Sequence, residues 1–192
     1  MYKLRYILSW AAIIAICLYS SSIKADGSIE IPDYKTGIYC ELGGRADPDI
    51  IGGEIGLYRY QSEILSLSGG LSFLASEDLA DLFTGLNVGA RLNTPGPLQA
   101  FIGLGVFLGY SKERASADND WIDNDDDGFT DEYGEEKEII DNVLGSIYPE
   151  AGIHLWISDK TRLTLTAKYQ ITTEGSDHNF WMYNFGIAIP LN

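Results

Sequence analysis

The sequence predicts an all-β protein, an eight-stranded antiparallel up-and-down transmembrane β-barrel. Three observations carry that prediction. The first is the stretch Leu98 to Tyr110, LQAFIGLGVFLGY. Leu98, Ala100, Ile102, Leu104, Val106, Leu108 and Tyr110 form one alternate set, all apolar. Gln99, Phe101, Gly103, Gly105, Phe107 and Gly109 form the other, mostly glycine. Strict period two marks a strand with two unlike faces. A half-buried soluble strand sets polar groups against its apolar face. Here a greasy face opposes a small one, as if the small one pointed into a crowded interior. A strand of about 9–11 residues tilted by about 45° crosses a bilayer, and this stretch is long enough. The second observation is that similar alternation recurs between Thr36 and Leu191, giving eight strands, an even count. The third is that no window after residue 25 is apolar enough for a spanning helix, whereas barrels escape hydropathy because each strand signals weakly.

The elements follow in order. Residues 1–25 read as a secretory signal, with Lys3 and Arg5 before an apolar run from Ile7 to Tyr19 and a small residue, Ala25, before the cut. Residues 26–192 form the barrel domain, opening on a polar lead-in, Asp26 to Lys35. Strand one, Thr36 to Gly44, sets Ile38, Cys40 and Leu42 against Tyr39, Glu41 and Gly43. Arg45 to Ile50, RADPDI, reads as a loop. Strand two, Ile51 to Gln61, turns Ile55 and Leu57 out and Glu54, Gly56 and Tyr58 in. Strand three, Ile64 to Ala75, alternates leucine and phenylalanine with serine and glycine. Strand four, Leu82 to Leu92, opposes Leu86, Val88 and Ala90 with Asn87, Gly89 and Arg91. NTPGP, Asn93 to Pro97, is a compact turn leading into strand five, the opening stretch. Ser111 to Glu138 reads as one long acidic loop without structure. Strand six descends through Tyr148 to Ile157, with Glu150, Gly152 and His154 inward. Strand seven, Arg162 to Thr172, sets Leu163, Leu165, Ala167 and Tyr169 against Thr164, Thr166, Lys168 and Gln170. Strand eight closes the chain with Trp181, Tyr183, Phe185, Ile187, Ile189 and Leu191 on one face.

Short connections near Ser62, Pro95 and Asp159 alternate with longer ones near Asp47, Asp78, Asp126 and Asp177, an asymmetry typical of outer-membrane barrels. Tyr110, Tyr169, Trp181 and Tyr183 are placed as an aromatic girdle on the lipid face near the longer loops. A soluble barrel of the lipocalin kind would turn its apolar face inward and leave glycine and charge to water.

The last strand carries a family resemblance. Asn184, Gly186, Ile189 and Leu191 match a barrel-assembly signal of a polar residue, glycine two on, and hydrophobics five and seven on. Asn192 stands where that signal usually ends in an aromatic. Over Thr36 to Leu191 the chain resembles the small eight-stranded outer-membrane barrels of Gram-negative bacteria, the broad group containing the barrel part of OmpA and OmpX. The resemblance implies an outer-membrane location after signal cleavage, lipid as surroundings and the barrel-assembly machinery as a partner. A tether to the cell wall is not implied.

Charge and residue content narrow the function. The formal charge is −15, and cleavage after Ala25 would remove three cations and take it to −18. Nucleic acid is excluded as a partner by repulsion. Only Cys40 remains in the mature chain, where it acts as a small hydrophobe. Eight strands enclose a space that side chains just fill. The inward list holds Glu41, Glu54, Arg91, Glu150, His154 and Lys168, and buried charges need partners. Glu41, Glu150 and Lys168 are expected near mid-strand in one network, with Arg91 and His154 lower. That arrangement plugs the lumen and makes a scaffold. Catalysis is not expected. The lipid A deacylases among small barrels carry a His-x-Ser arrangement, whereas Leu155 and Trp156 follow His154, and His178 sits in a loop beside Asp177.

Ser111 to Glu138 holds twelve acidic residues against Lys112, Arg114 and Lys137. Within it, Asp123, Asp125 and Asp127 precede Gly128, Phe129 and Asp131. Oxygen ligands at positions 1, 3 and 5, a glycine turn, a carbonyl at 7 and an acid at 9 describe a calcium loop. Gly134 stands where an EF-hand has its bidentate glutamate, so the pattern resembles the shorter calcium loops of extracellular proteins. The expected function is a non-enzymatic outer-membrane barrel whose external loop binds Ca2+ and serves surface structure, envelope integrity or adhesion. A small channel and a lipid A-modifying enzyme are the alternatives. The extracellular ligand is unknown.

Overall fold

A computed structural model of the chain describes residues 36–46, 49–77, 81–116 and 136–191. Eight strands run β1 Thr36–Ala46, β2 Asp49–Tyr60, β3 Leu65–Ala75, β4 Leu82–Asn93, β5 Leu98–Ser116, β6 Glu136–Ser158, β7 Thr161–Thr172 and β8 Phe180–Pro190. Each pairs antiparallel with the next, and β8 returns to β1, Ile38 opposite Ile189, to close the barrel. Closure leaves no edge along the wall, so backbone polar groups are satisfied strand to strand. Among the described residues no helix is long and apolar enough to cross a membrane.

The faces are assigned as the alternation predicts. Ile102 is 65% exposed and Leu104 58%, while Phe101 and Phe107 are buried. The same sense holds around the wall, with Ile55, Leu71, Val88, Val143 and Tyr183 outside and Tyr39, Glu54, Asn87 and Lys168 inside. The outer wall is apolar and the buried charges lie inside with a smaller set of apolar side chains, unlike a water-soluble barrel, whose outer wall is polar. Tyr110, Trp181 and Tyr183 are exposed on the outer face, and Tyr169 and Trp181 lie ring to ring at 5.0 Å, forming the expected girdle patch. Cys40 is exposed on the same outer face.

The inner glycines have a packing reason. A Cβ on Gly105 would lie 2.3 Å from the Tyr148 ring, and one on Gly103 would lie 2.8 Å from Glu150 Oε1. Large inward side chains lie across neighbouring strands, and glycine is where they cross.

Two loop readings are corrected. Arg45 to Ile50 is not a loop: Arg45 pairs with Ile50 and Ala46 with Asp49, so only 47–48 connects the strands. The alternation of long and short connections therefore fails at this first hairpin. Arg45 and Ile50 are drawn into the sheet because their side chains have buried places on the inner face. Ser111 to Glu138 is not structureless throughout. β5 continues to Ser116 and β6 begins at Glu136, with Ser111 opposite Asn142 and Ser116 opposite Glu136. The strands thus end much nearer the acidic centre than composition suggests. Inward Ser111 and Glu113 are buried, a role that a charged local sequence does not announce. Between β6 and β7 the register pairs lapse at Tyr148 and Pro149, where proline supplies no N–H.

Candidate functional site

The inner side chains stack in three tiers. The tier nearest connections 47–48, 76–81, 117–135 and 173–179 is apolar. Phe83 and Phe107 stack at 4.1 Å, Phe180 meets Phe83 edge-on, and Leu74, Leu144 and Met182 pack with them. Arg45 caps this tier, its Cζ 4.1 Å over the Phe180 ring and its Nη2 2.9 Å from Glu113 Oε1.

The middle tier is ionic. Arg91 donates through Nε to Glu150 Oε1 at 2.7 Å and through Nη2 to Oε2 at 2.9 Å, a bidentate pair. Register explains it: Arg91 is opposite Gly103, Gly103 opposite Glu150, and Glu150 opposite Lys168. Gly103 has no side chain to separate its two neighbours, so the guanidinium reaches the carboxylate across β5. Lys168 donates to Glu54 Oε2 at 3.0 Å and lies 3.9 Å from Glu41. Glu54 also accepts from Tyr39 at 2.5 Å, Ser72 at 3.0 Å and Asn87 at 3.1 Å. Asn184 donates to Glu41 at 3.3 Å, and Arg91 lies 4.0 Å from Glu41. One network therefore holds three carboxylates and two cations.

The expected trio of Glu41, Glu150 and Lys168 is present, and the network is larger. Arg91 does not lie lower, apart from it, but at its centre. Its sequence number places it late in β4, while the stagger between strands brings it level with Glu150. Glu54 is the hub and Tyr39 its partner, neither evident from spacing. His154 does lie apart, its Nδ1 2.9 Å from Thr164 Oγ1 and its ring stacked on Phe101 at 4.3 Å.

The third tier, at the end with connections 61–64, 94–97 and 159–160, is aromatic and polar. Arg162 donates through Nη1 to the Tyr60 hydroxyl at 2.8 Å, and Tyr60 donates to Gln99 at 3.0 Å. Arg162 opens its strand, so a reading that begins alternation at Leu163 passes it over. Arg45 was likewise hidden in the RADPDI segment.

The five residues read as calcium ligands, Asp123, Asp125, Asp127, Phe129 and Asp131, lie outside the described residues, as does the 1–25 signal. Among the described residues no group of three or more His, Cys, Asp or Glu side chains is placed to hold a metal ion. The hairpin that leads to the acidic segment is described. β6 has 23 residues against 12 in β7, and its pairs with β7 begin at Ser146 opposite Thr172. Residues Ile140 to Leu144 therefore rise above β7, paired to β5. Tyr110 donates from its hydroxyl to Asp141 across this hairpin, and Asp81 accepts the Arg114 N–H at 2.9 Å. His178 ends a short 3-10 turn, Ser176–His178, between β7 and β8.

No protein-family model matches the chain, and no curated protein matches it. Solved structures do. The N-terminal β-barrel domain of Pseudomonas aeruginosa OprF matches with TM-score 0.52 at 14% identity, covering 82% of this chain and 98% of that one. Ail, the attachment invasion locus protein of Yersinia pestis, matches with TM-score 0.50 at 10% identity, covering 83% and 100%. At such identities the likeness speaks to fold, and it agrees with the closed ring of eight antiparallel strands seen here. The chain has the eight-stranded antiparallel barrel fold shared by the OprF N-terminal domain and Ail.

Proposed function

We propose that this protein is a non-enzymatic barrel of the Gram-negative outer membrane that presents an acidic, calcium-binding loop at the cell surface, serving surface structure, envelope integrity or adhesion. The observation that carries the proposal is the inversion of the barrel: an apolar outer wall around a lumen filled by an apolar tier, an ionic network and an aromatic tier. An outer wall of that kind belongs in hydrocarbon, and a filled lumen makes a scaffold. The paired extension of β5 and β6 supports the surface role, because it holds the ends of the acidic segment above β7. Such loops in extracellular modules bind calcium with Kd of about 10⁻⁴–10⁻³ M, adequate outside a cell.

The channel reading has less support, since buried inward side chains pack the lumen in an apolar cluster and an ionic network. The lipid A-modifying reading also has less: His154 contacts Thr164 and Phe101 and faces the axis, away from lipid. Membrane fractionation with heat-modifiable gel mobility tests the barrel, and a soluble, heat-insensitive mature chain overturns it. Planar-bilayer recording tests the plug, and a steady large conductance overturns the scaffold. Limited proteolysis tests the loop: calcium protects it, and Asp125→Ala removes the protection. Equal cutting in calcium and in chelator overturns the calcium site.

A further inference from the structure

The third tier contains a buried cation without a counterion. Arg162 is 2% exposed, and among the described residues no carboxylate pairs with it. Its Cζ lies 4.2 Å over the Tyr58 ring and 5.8 Å from each of the Tyr60 and Trp156 rings. Register sets Arg162 opposite Trp156 and Thr164 opposite His154. Arg162 Nε, Trp156 Nε1, His154 Nε2 and the Tyr58 hydroxyl are all buried, and each is without a hydrogen-bond partner. Register and ring contacts bring these four residues together at one end of the lumen, and four such atoms beside a charge unpaired among the described residues form a pattern that a ligand would satisfy.

The chemistry of the orphans says which. Arg and Trp N–H groups donate and cannot accept. In the tautomer whose Nδ1 accepts from the Thr164 hydroxyl, His154 Nε2 carries the hydrogen and donates as well. A water accepts from at most two of these and leaves the charge uncancelled. An anion accepts from several N–H donors at once and cancels the charge. One guanidinium balances one negative charge, and a second would be buried unpaired at high cost. The aromatic walls favour a weakly hydrated ion. We propose that the short-turn end of the lumen is a binding site for a small monovalent anion of the halide class, held by Arg162, Trp156, His154 and Tyr58. The anion locks β2, β6 and β7 together at that end of the barrel.

The test uses the refolded full chain in detergent, with two readouts. Crystals grown in sodium bromide should show an anomalous peak within hydrogen-bonding distance of Arg162 Nε and Trp156 Nε1. Ordered water alone at that place overturns the proposal. In urea unfolding at constant ionic strength, gluconate is replaced stepwise by chloride. Each tenfold rise in chloride above its Kd should raise the folded-to-unfolded ratio about tenfold, and Arg162→Gln should abolish the dependence. No chloride dependence in the parent, or equal dependence in Arg162→Gln, overturns it. Should Arg162→Gln fail to fold, Trp156→Phe removes the indole donor while keeping an aromatic ring and every charge, and must weaken the chloride response; an unchanged response overturns the site.

Discussion

Removing the guanidinium of Arg91 deprives Glu150 of its one ion pair among the described residues. Among the described residues Arg91 alone hydrogen-bonds the Glu150 side chain, through two bonds of 2.7 and 2.9 Å, and that side chain is fully buried. Arg91→Met therefore leaves a buried carboxylate in the lumen without its hydrogen-bonded counterion. Breaking a buried pair from one side costs about 3–5 kcal/mol, which lowers the folded-to-unfolded ratio by about a hundredfold or more. Glu150→Met is the milder change. Arg91 then keeps Glu41 at 4.0 Å and the Phe101 ring at 4.7 Å, and the expected loss is about 1–3 kcal/mol. The double replacement Arg91→Met with Glu150→Met removes both charges. It should be more stable than Arg91→Met alone, with a coupling of about 2 kcal/mol between the sites. The assay is equilibrium unfolding in urea in detergent micelles, followed by tryptophan fluorescence, with gel mobility as an independent probe. If Arg91→Met costs under about 1 kcal/mol, or the two single losses simply add in the double variant, the pair does not hold the lumen as described.

Three further perturbations probe the same architecture. Leu104→Arg places a charge on the outer face at the middle of β5 and should cost about 2–4 kcal/mol in lipid; a near-zero change in liposome unfolding would mean that this face meets water. Gly105→Val drives a side chain into the Tyr148 ring, whose nearest atom lies 2.3 Å from an ideal Cβ, and should lower stability by about 1–3 kcal/mol, read as a lower urea midpoint. Glu113→Gln weakens the 2.9 Å pair with Arg45 at the rim of the apolar tier. It should speed amide exchange in the upper β1–β2 hairpin while leaving the middle of β7 protected, measured by hydrogen exchange with mass spectrometry.

The sequence by itself determined the number of strands, which face of each looks outward, and which charges point to the axis. Those properties are local: a pleated strand alternates every residue, so Leu104 and Gly105 declare opposite sides without knowledge of a neighbour. Six inward polar residues, Glu41, Glu54, Arg91, Glu150, His154 and Lys168, were legible in this way and are all buried. Tertiary structure alone decided who meets whom. Stagger between strands brings Arg91 level with Glu150 and lets the empty place at Gly103 join them. It also decided where the strands end. Arg45 and Glu113 sit in segments whose composition reads as loop, and each becomes strand because its partner waits across the barrel. The isolation of Arg162 from any carboxylate among the described residues belongs to the same class, for it is a property of a neighbourhood and no run of residues along one strand can display it.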